Sequence, residues 1–308
     1  MTEIDYHLLH RAGRRGMWRP LLGVLLVAIG TFLVAPILLQ LPLAAWLLAT
    51  GQPVVDGVGD VLDFSDPTPL GLAYLNITLA AAIPVVFAVS WWLHGVKPGW
   101  LSSVARRLRW RYFLVCLLLS VVALVATVVV SAFLPQQGGT GMGTDVNDFT
   151  STTRNFLLVV LLLTPLQAAG EEYAFRGYLT QAFGGLFGSR VVAVVVPALL
   201  FATAHGLGQS WPVFVDRFAF GLVAGVLVIR TGGLEAPIAM HVLNNFLAFG
   251  LALAFSDMAT ALNPAGGSWW SLPGTLTQSL VYLVLASYVA RSMGLSRTAI
   301  LEPRAGRV

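Results

Sequence analysis

Eight apolar stretches govern what this chain can fold into: approximately 21–48, 70–94, 112–134, 155–183, 191–207, 211–229, 236–255 and 276–290. A helix that crosses the hydrocarbon core of a bilayer needs about 20 mostly apolar residues, with charges confined to its ends. Each stretch comes close to that test, which predicts an all-α, polytopic membrane helical bundle of about eight transmembrane helices. Composition agrees, with 57% of residues hydrophobic and 10% charged, where a soluble chain typically carries about 25% charge. That balance excludes water-soluble enzymes, disordered chains and nucleic-acid-binding modules, and makes the lipid bilayer the first partner. Pro36 and Pro42 fall inside the first stretch and predict a kink there. Arg11, Arg14, Arg15 and Arg19 precede it as they would a signal peptide, yet the run is too long for a signal h-region and lacks a convincing small-residue cleavage site. It is therefore read as a span. The one cysteine, Cys116, lies inside an apolar run, which leaves no intramolecular disulfide and predicts a packing role.

The cations fix an expected orientation. Lys and Arg number 18 against 14 Asp and Glu, and they flank the apolar runs instead of forming one basic face, so they read as topology and not as a nucleic-acid footprint. Four Arg precede the first span, and Lys97, Arg106, Arg107, Arg109 and Arg111 occupy the second connection. Residues 54–68 hold four Asp and no cation, and residues 135–153 hold Asp145 and Asp148 and no cation. Alternation then places Arg190, Arg230, Arg297, Arg304 and Arg307 on the side of the N-terminus, so both termini are expected to be cytoplasmic. Residues 100–112, rich in Trp and Arg, read equally as a short interfacial amphipathic helix or as a plain cytoplasmic loop. The Gly/Pro-rich connections 138–143 and 264–267 read as loops, and no internal repeat is visible. One membrane domain, 1–308, is the expected organisation.

Ionisable residues deep in a span are costly, about 2.5–3.5 kcal/mol each on insertion scales, and so mark function by default. The fourth stretch contains Glu171, Glu172 and Arg176. Glu172 and Arg176 are one helical turn apart and can pair, whereas Glu171 points about 100° away and is left free. In the fifth stretch Phe201 and His205 share a stripe, and in the seventh His241 and Asn245 do the same. A single buried histidine is most often a satisfied packing residue; two of them beside an uncompensated glutamate argue for chemistry. A hairpin turning near 186–188 would put Glu171 and His205 level, each roughly 25 Å from the turn, whereas His241 lies only about 12 Å from the Gly232–Gly233 connection. The hairpin must project beyond the membrane, or the seventh helix must start deep. Asp216 and Arg217 lie close enough to the outer end of the sixth stretch to snorkel, which suits a structural role, and Gly221 with Gly225 has the small-xxx-small spacing of close helix packing.

Glu171, Glu172 and Arg176, then Phe201 and His205, then His241 and Asn245, in that order on separate apolar helices, resemble the signature of the CPBP intramembrane protease family. That family groups CAAX prenyl proteases with bacteriocin-processing and self-immunity proteins, and the resemblance spans a core of roughly 155–255. It implies a membrane endopeptidase acting on membrane-embedded or lipid-anchored peptides, possessing a site inside the bilayer. By the same resemblance Glu171 is the catalytic glutamate, His205 its partner on the water, His241 and Asn245 face the scissile carbonyl, and Glu172, Arg176 and Phe201 support them.

Amide hydrolysis needs a base for water, donors for the oxyanion and a proton for the leaving amine, and a carboxylate in an apolar cavity can take and return that proton near neutral pH. No Gly-x-Ser-x-Gly elbow or His-Glu-x-x-His helix offers another route. Two readings of the set stay open. Glu171, His205 and His241 make a two-His-one-carboxylate group of the kind that holds catalytic zinc. Alternatively the same residues work without metal, with His241 and Asn245 donating to the oxyanion. Asn245 favours the second reading, because an amide is a poor zinc ligand, and no acceptor is evident behind either histidine. Two other functions compete: a scaffold or immunity factor that keeps the cluster for stability, and a proton-coupled transporter that relays protons through Glu171 and His205.

Overall fold

The computed structural model describes residues 2–134, 145–206, 208–262 and 267–301. The loops expected at 138–143 and over most of 264–267, and the tail cations Arg304 and Arg307, fall outside the described residues. Eight principal helices follow one another: α1 Trp18–Ala49, α2 Pro69–His94, α3 Trp110–Ser131, α4 Ser151–Phe187, α5 Arg190–Ala204, α6 Trp211–Thr231, α7 Glu235–Phe255 and α8 Ser271–Ser292. Seven are long and apolar enough to cross a membrane, and the chain is a multi-pass integral membrane protein.

The exception corrects the sequence reading. The apolar stretch to Leu207 predicted a full fifth span, but α5 has 15 residues and reaches about 22 Å, short of the roughly 30 Å hydrocarbon core. Its last residue is Ala204, and His205 follows as the C-cap instead of lying within the helix. Gly206 has φ +111, a conformation that other residues rarely adopt and that ends the helix there.

Helix α4 opens on a capping box between Thr150 and Thr153. It runs as α-helix to Glu172, widens into a π-helical segment over Tyr173–Leu179, and resumes as α-helix to Phe187. At 37 residues it is about 55 Å long, well over the roughly 30 Å of a bilayer core. Gly188, at φ +69, caps it and turns the chain into α5. Next to the candidate site Gly170 has no side chain where α2 crosses: a Cβ there would lie 2.3 Å from the Leu79 carbonyl oxygen. The expected close packing of α6 also appears, since a Cβ on Gly221 would sit 3.0 Å from that of Ala198.

Where α1 was expected to kink, it passes through a π-helical segment, Gly30–Val34, that ends two residues before Pro36. Residues 100–112 divide: 105–109 form a loop in which Ala105, Arg106 and Arg107 are exposed, whereas 100–104 are buried. The buried part is a four-residue helix, Gly99–Ser102, and the two residues after it, with Leu101 and Ser103 fully covered. Leu234 N donates to the Ser102 carbonyl at 2.9 Å, and Ser102 Oγ lies 2.7 Å from the Tyr173 hydroxyl. The start of α7 is thereby held level with Tyr173, well before the turn that ends α4. The depth mismatch is resolved: α7 starts deep relative to the hairpin. Cys116 is buried, as expected of a packing residue. The two ends of the described chain meet, with β1 (Thr2–Asp5) and β2 (Thr298–Leu301) forming an antiparallel pair.

Candidate active site

The π-helical segment begins one residue after Glu172, so the two glutamates occupy the last α-helical turn of the first part of α4. They face different partners, as their roughly 100° separation requires. Glu172 is completely buried and its Oε1 accepts from Arg176 Nη1 at 2.9 Å and from His241 Nδ1 at 2.8 Å. The expected Glu172–Arg176 pair is present, and it has a third member on α7. Arg176 is also buried; its Nε and Nη2 have no hydrogen-bond partner, and its guanidinium carbon stands 4.1 Å from the centre of the Phe201 ring. Cation–π attraction thus takes the place of further acceptors.

Glu171 turns the other way. Its Oε1 accepts from Gln167 Nε2 at 2.6 Å, and the Gln167 Oε1 accepts in turn from Asn245 Nδ2 at 3.0 Å. Glu171 Oε2 has no hydrogen-bond partner and lies 3.7 Å from His241 Nε2. A chain of amide groups therefore fixes one carboxylate oxygen and leaves the other for a reactant.

Both histidines are oriented from behind. His205 Nδ1 lies 2.8 Å from the Phe201 carbonyl oxygen one turn earlier. A carbonyl only accepts, so Nδ1 carries the proton, and the neutral ring keeps its Nε2 lone pair. His241 Nδ1 is held in the same way by Glu172 Oε1, the oxygen that also accepts from Arg176, which leaves Nε2 on the side of Glu171. The Phe201 ring packs edge-on against His205 at 4.6 Å and against His241 at 5.9 Å, so it sets the spacing of the two imidazoles. The expectation that neither histidine has an acceptor behind it is wrong: one is a backbone carbonyl and the other is a carboxylate from another helix, and neither shows in an apolar sequence pattern.

That backing suits a metal ligand as well as a general base. The full set does not assemble, however, because among the described residues no three His, Cys, Asp or Glu side chains form a metal-binding group. The two observations point in opposite directions, and convergence of ligands is the stricter requirement. The three-ligand zinc set of Glu171, His205 and His241 does not fit this arrangement.

Glu171, His205, His241 and Asn245 all line one cavity of about 470 Å³. Apolar side chains, among them Leu75, Leu79, Ala248 and Phe249, form much of its wall, and His205 is exposed to it. Asp216 and Arg217 line it too. Arg217 Nη1 donates to Gln209 Oε1 at 2.8 Å, and Gln209 Nε2 donates to the Ala202 carbonyl at 2.6 Å, so this arginine ties down the connection after α5. The structure thus brings together every residue that the sequence nominated, and adds two features that it did not. Gln167 is the first; its position one turn before Glu171 was the available signal. The second is Glu235, fully buried, which accepts from Arg109 N, Nε and Nη2 at 2.8, 2.8 and 2.6 Å. It anchors the first turn of α7 six residues ahead of His241, so Arg109, in the sequence one of the connection's topology charges, also braces the site.

Residues 153–247 match the family described as type II CAAX prenyl endopeptidase, Rce1-like. The match contains all three blocks that carry the site. Among curated proteins, an uncharacterised protein, YyaK, of Bacillus subtilis (strain 168) is 33% identical over 95 residues, which is 29% of this chain and 31% of that protein. An uncharacterised 24.3 kDa protein of Escherichia coli is 33% identical over 86 residues, 28% of this chain and 38% of that protein. The chain spans only about a third of the length of either relative in these matches. No solved structure matches it.

Proposed function

With residues 153–247 Rce1-like, we propose that this chain is an intramembrane endopeptidase that hydrolyses peptide bonds of membrane-embedded or lipid-anchored substrates through a glutamate-activated water, CAAX-type prenylated peptides being the first class to test. The single observation that carries the reading is Glu171 Oε2, which has no hydrogen-bond partner and lies 3.7 Å from His241 Nε2, on a residue that Gln167 holds through the other oxygen and that lines a largely apolar cavity with both histidines.

In this scheme a water molecule donates to Glu171 Oε2 and to a neutral imidazole Nε2. Glu171 takes one proton as the oxygen attacks the scissile carbonyl. The second N–H of the Asn245 amide, which Gln167 does not use, stabilises the oxyanion. Collapse breaks the C–N bond, and Glu171 returns its proton to the leaving amine, so that one water is consumed and one acid and one amine are formed. His241 can join Asn245 as a donor only as an imidazolium, because Glu172 already holds its Nδ1 proton; its resting role is that of an acceptor. Arg176 and Phe201 act by holding Glu172 and the histidine rings in place. The cytoplasmic placement of both termini, from the cation count, belongs to the same proposal.

The test is an assay of detergent-purified protein against a library of prenylated and unprenylated peptides. Cleavage of the prenylated members supports the substrate class. If no peptide is cut while the protein remains folded, the scaffold reading takes its place.

A further inference from the structure

A second cavity, of about 350 Å³, lies at the opposite end of α4 from the capping box, between the N-terminal 3-10 helix Tyr6–Ala12, the start of α1 and the end of α4. Arg11, Arg14 and Arg15 line it together with His10, His94 and Gly185. Its chemistry is unlike that of the active-site cavity. Three arginines line it, and no ion pair among the described residues includes any of them. Two are held in position by backbone carbonyls: Arg11 Nε donates to Gly185 O at 2.7 Å and Arg14 Nη1 donates to Trp92 O at 2.5 Å. Fixed in this way, they keep their remaining N–H groups for an acceptor that the protein does not supply.

The wall beneath them is incomplete in the same sense. His10 is 4% exposed, its ring stacks on His94 at 4.1 Å, and neither of its nitrogens has a hydrogen-bond partner. His94 is satisfied by the Tyr178 hydroxyl at 2.7 Å, so the deficit belongs to His10 alone. A buried imidazole with no partner is unfavourable unless a ligand reaches it. Burial, with His94 beside it, holds the His10 pKa well below the usual histidine range.

We propose that this cavity binds the phosphate of an anionic lipid headgroup. Arginine forks match phosphate geometry, and the setting favours a lipid over a soluble phosphate. Met17, Trp18 and Leu21 follow directly at the start of α1 and are 75%, 54% and 59% exposed, so acyl chains attached to a phosphate in the cavity would lie along an apolar helix face. Trp18 at a span end is also where aromatic residues meet the headgroup layer. The site is independent of the proteolytic reading, since it shares no residue with the cavity around Glu171.

The test is calorimetric titration of the full-length protein in detergent with dihexanoyl phosphatidic acid, dihexanoyl phosphatidylcholine and inorganic phosphate. Phosphatidic acid should bind one saturable site, at least about tenfold tighter than the zwitterionic lipid or free phosphate. Arg11→Gln with Arg14→Gln should weaken binding about 100-fold and Arg15→Gln alone about tenfold, the range expected for charge-assisted hydrogen bonds. Arg190→Gln, which removes a charge already paired with Asp5, should leave binding unchanged. Because Arg11 and Arg14 also brace the fold, Arg15→Gln, whose side chain makes no hydrogen bond or ion pair among the described residues, keeps the test valid if the double variant is unstable. Equal affinity for inorganic phosphate overturns the lipid assignment. Absence of saturable binding, or binding indifferent to all three arginines, overturns the site.

Discussion

Glu172 holds His241 through Nδ1 at 2.8 Å and so turns its Nε2 toward the free oxygen of Glu171, 3.7 Å away. Two adjacent glutamates thereby take separate tasks, one building the site and one facing the reactant. Arg176 and Phe201 matter because they complete the surroundings of the first glutamate.

Removing Arg176 should act through stability. Arg176→Ala leaves Glu172 buried with only His241 as a partner, at a cost of about 3–5 kcal/mol, read as a lower Tm in detergent. Adding Glu172→Gln should restore part of it, because a glutamine carbonyl still accepts from His241 Nδ1 without a buried charge. A Tm unmoved by Arg176→Ala would mean that the pair contributes no net stability.

Gln167 should act on turnover. Gln167→Ala frees Glu171 Oε1 and releases Asn245, so kcat should fall about tenfold or more, the equivalent of one oriented hydrogen bond of roughly 1.4 kcal/mol, with Tm nearly unchanged. Wild-type kcat in this variant would remove the Asn245–Gln167–Glu171 chain from the mechanism.

The one-turn spacings of Glu172 with Arg176 and of His241 with Asn245 were legible in the sequence, because one helical turn fixes a common face whatever the helix packs against, and Phe201 keeps its contact with His205 although that histidine caps α5. Contacts between helices were not. Nothing in the order of residues says that α7 lies against α4, so the Glu172–His241 and Gln167–Asn245 bonds and the Arg109–Glu235 anchor needed the fold. The short α5 was hidden for another reason: apolar residues run on to Leu207, and hydropathy does not register where a backbone stops being helical. Gly206 and Gly208 beside His205 were the local sign of that stop.

Metal should be dispensable. The ligand set does not converge, so chelator should leave activity intact and metal analysis of active protein should find well below one equivalent of zinc. Stoichiometric zinc, lost with activity on chelation and restored on readdition, would make His241 a ligand.

Pairing of β1 with β2 puts the two ends of the described chain together. Reporters at the N-terminus and at residue 308 should therefore label from one side, the cytoplasmic side by the cation count, and a reporter within 135–153 from the other. Labelling of residue 308 and 135–153 from the same side would break this topology and the expected direction of substrate entry.

The most direct measurement is single-turnover cleavage by purified Glu171→Gln beside the wild type. The amide has nearly the volume of the carboxylate and can still bond Gln167, so the protein should keep its Tm. It lacks the base, so the rate should fall by about 10²–10⁴-fold or more. Wild-type cleavage by a folded Glu171→Gln protein would contradict the assignment of Glu171 as the residue that activates water.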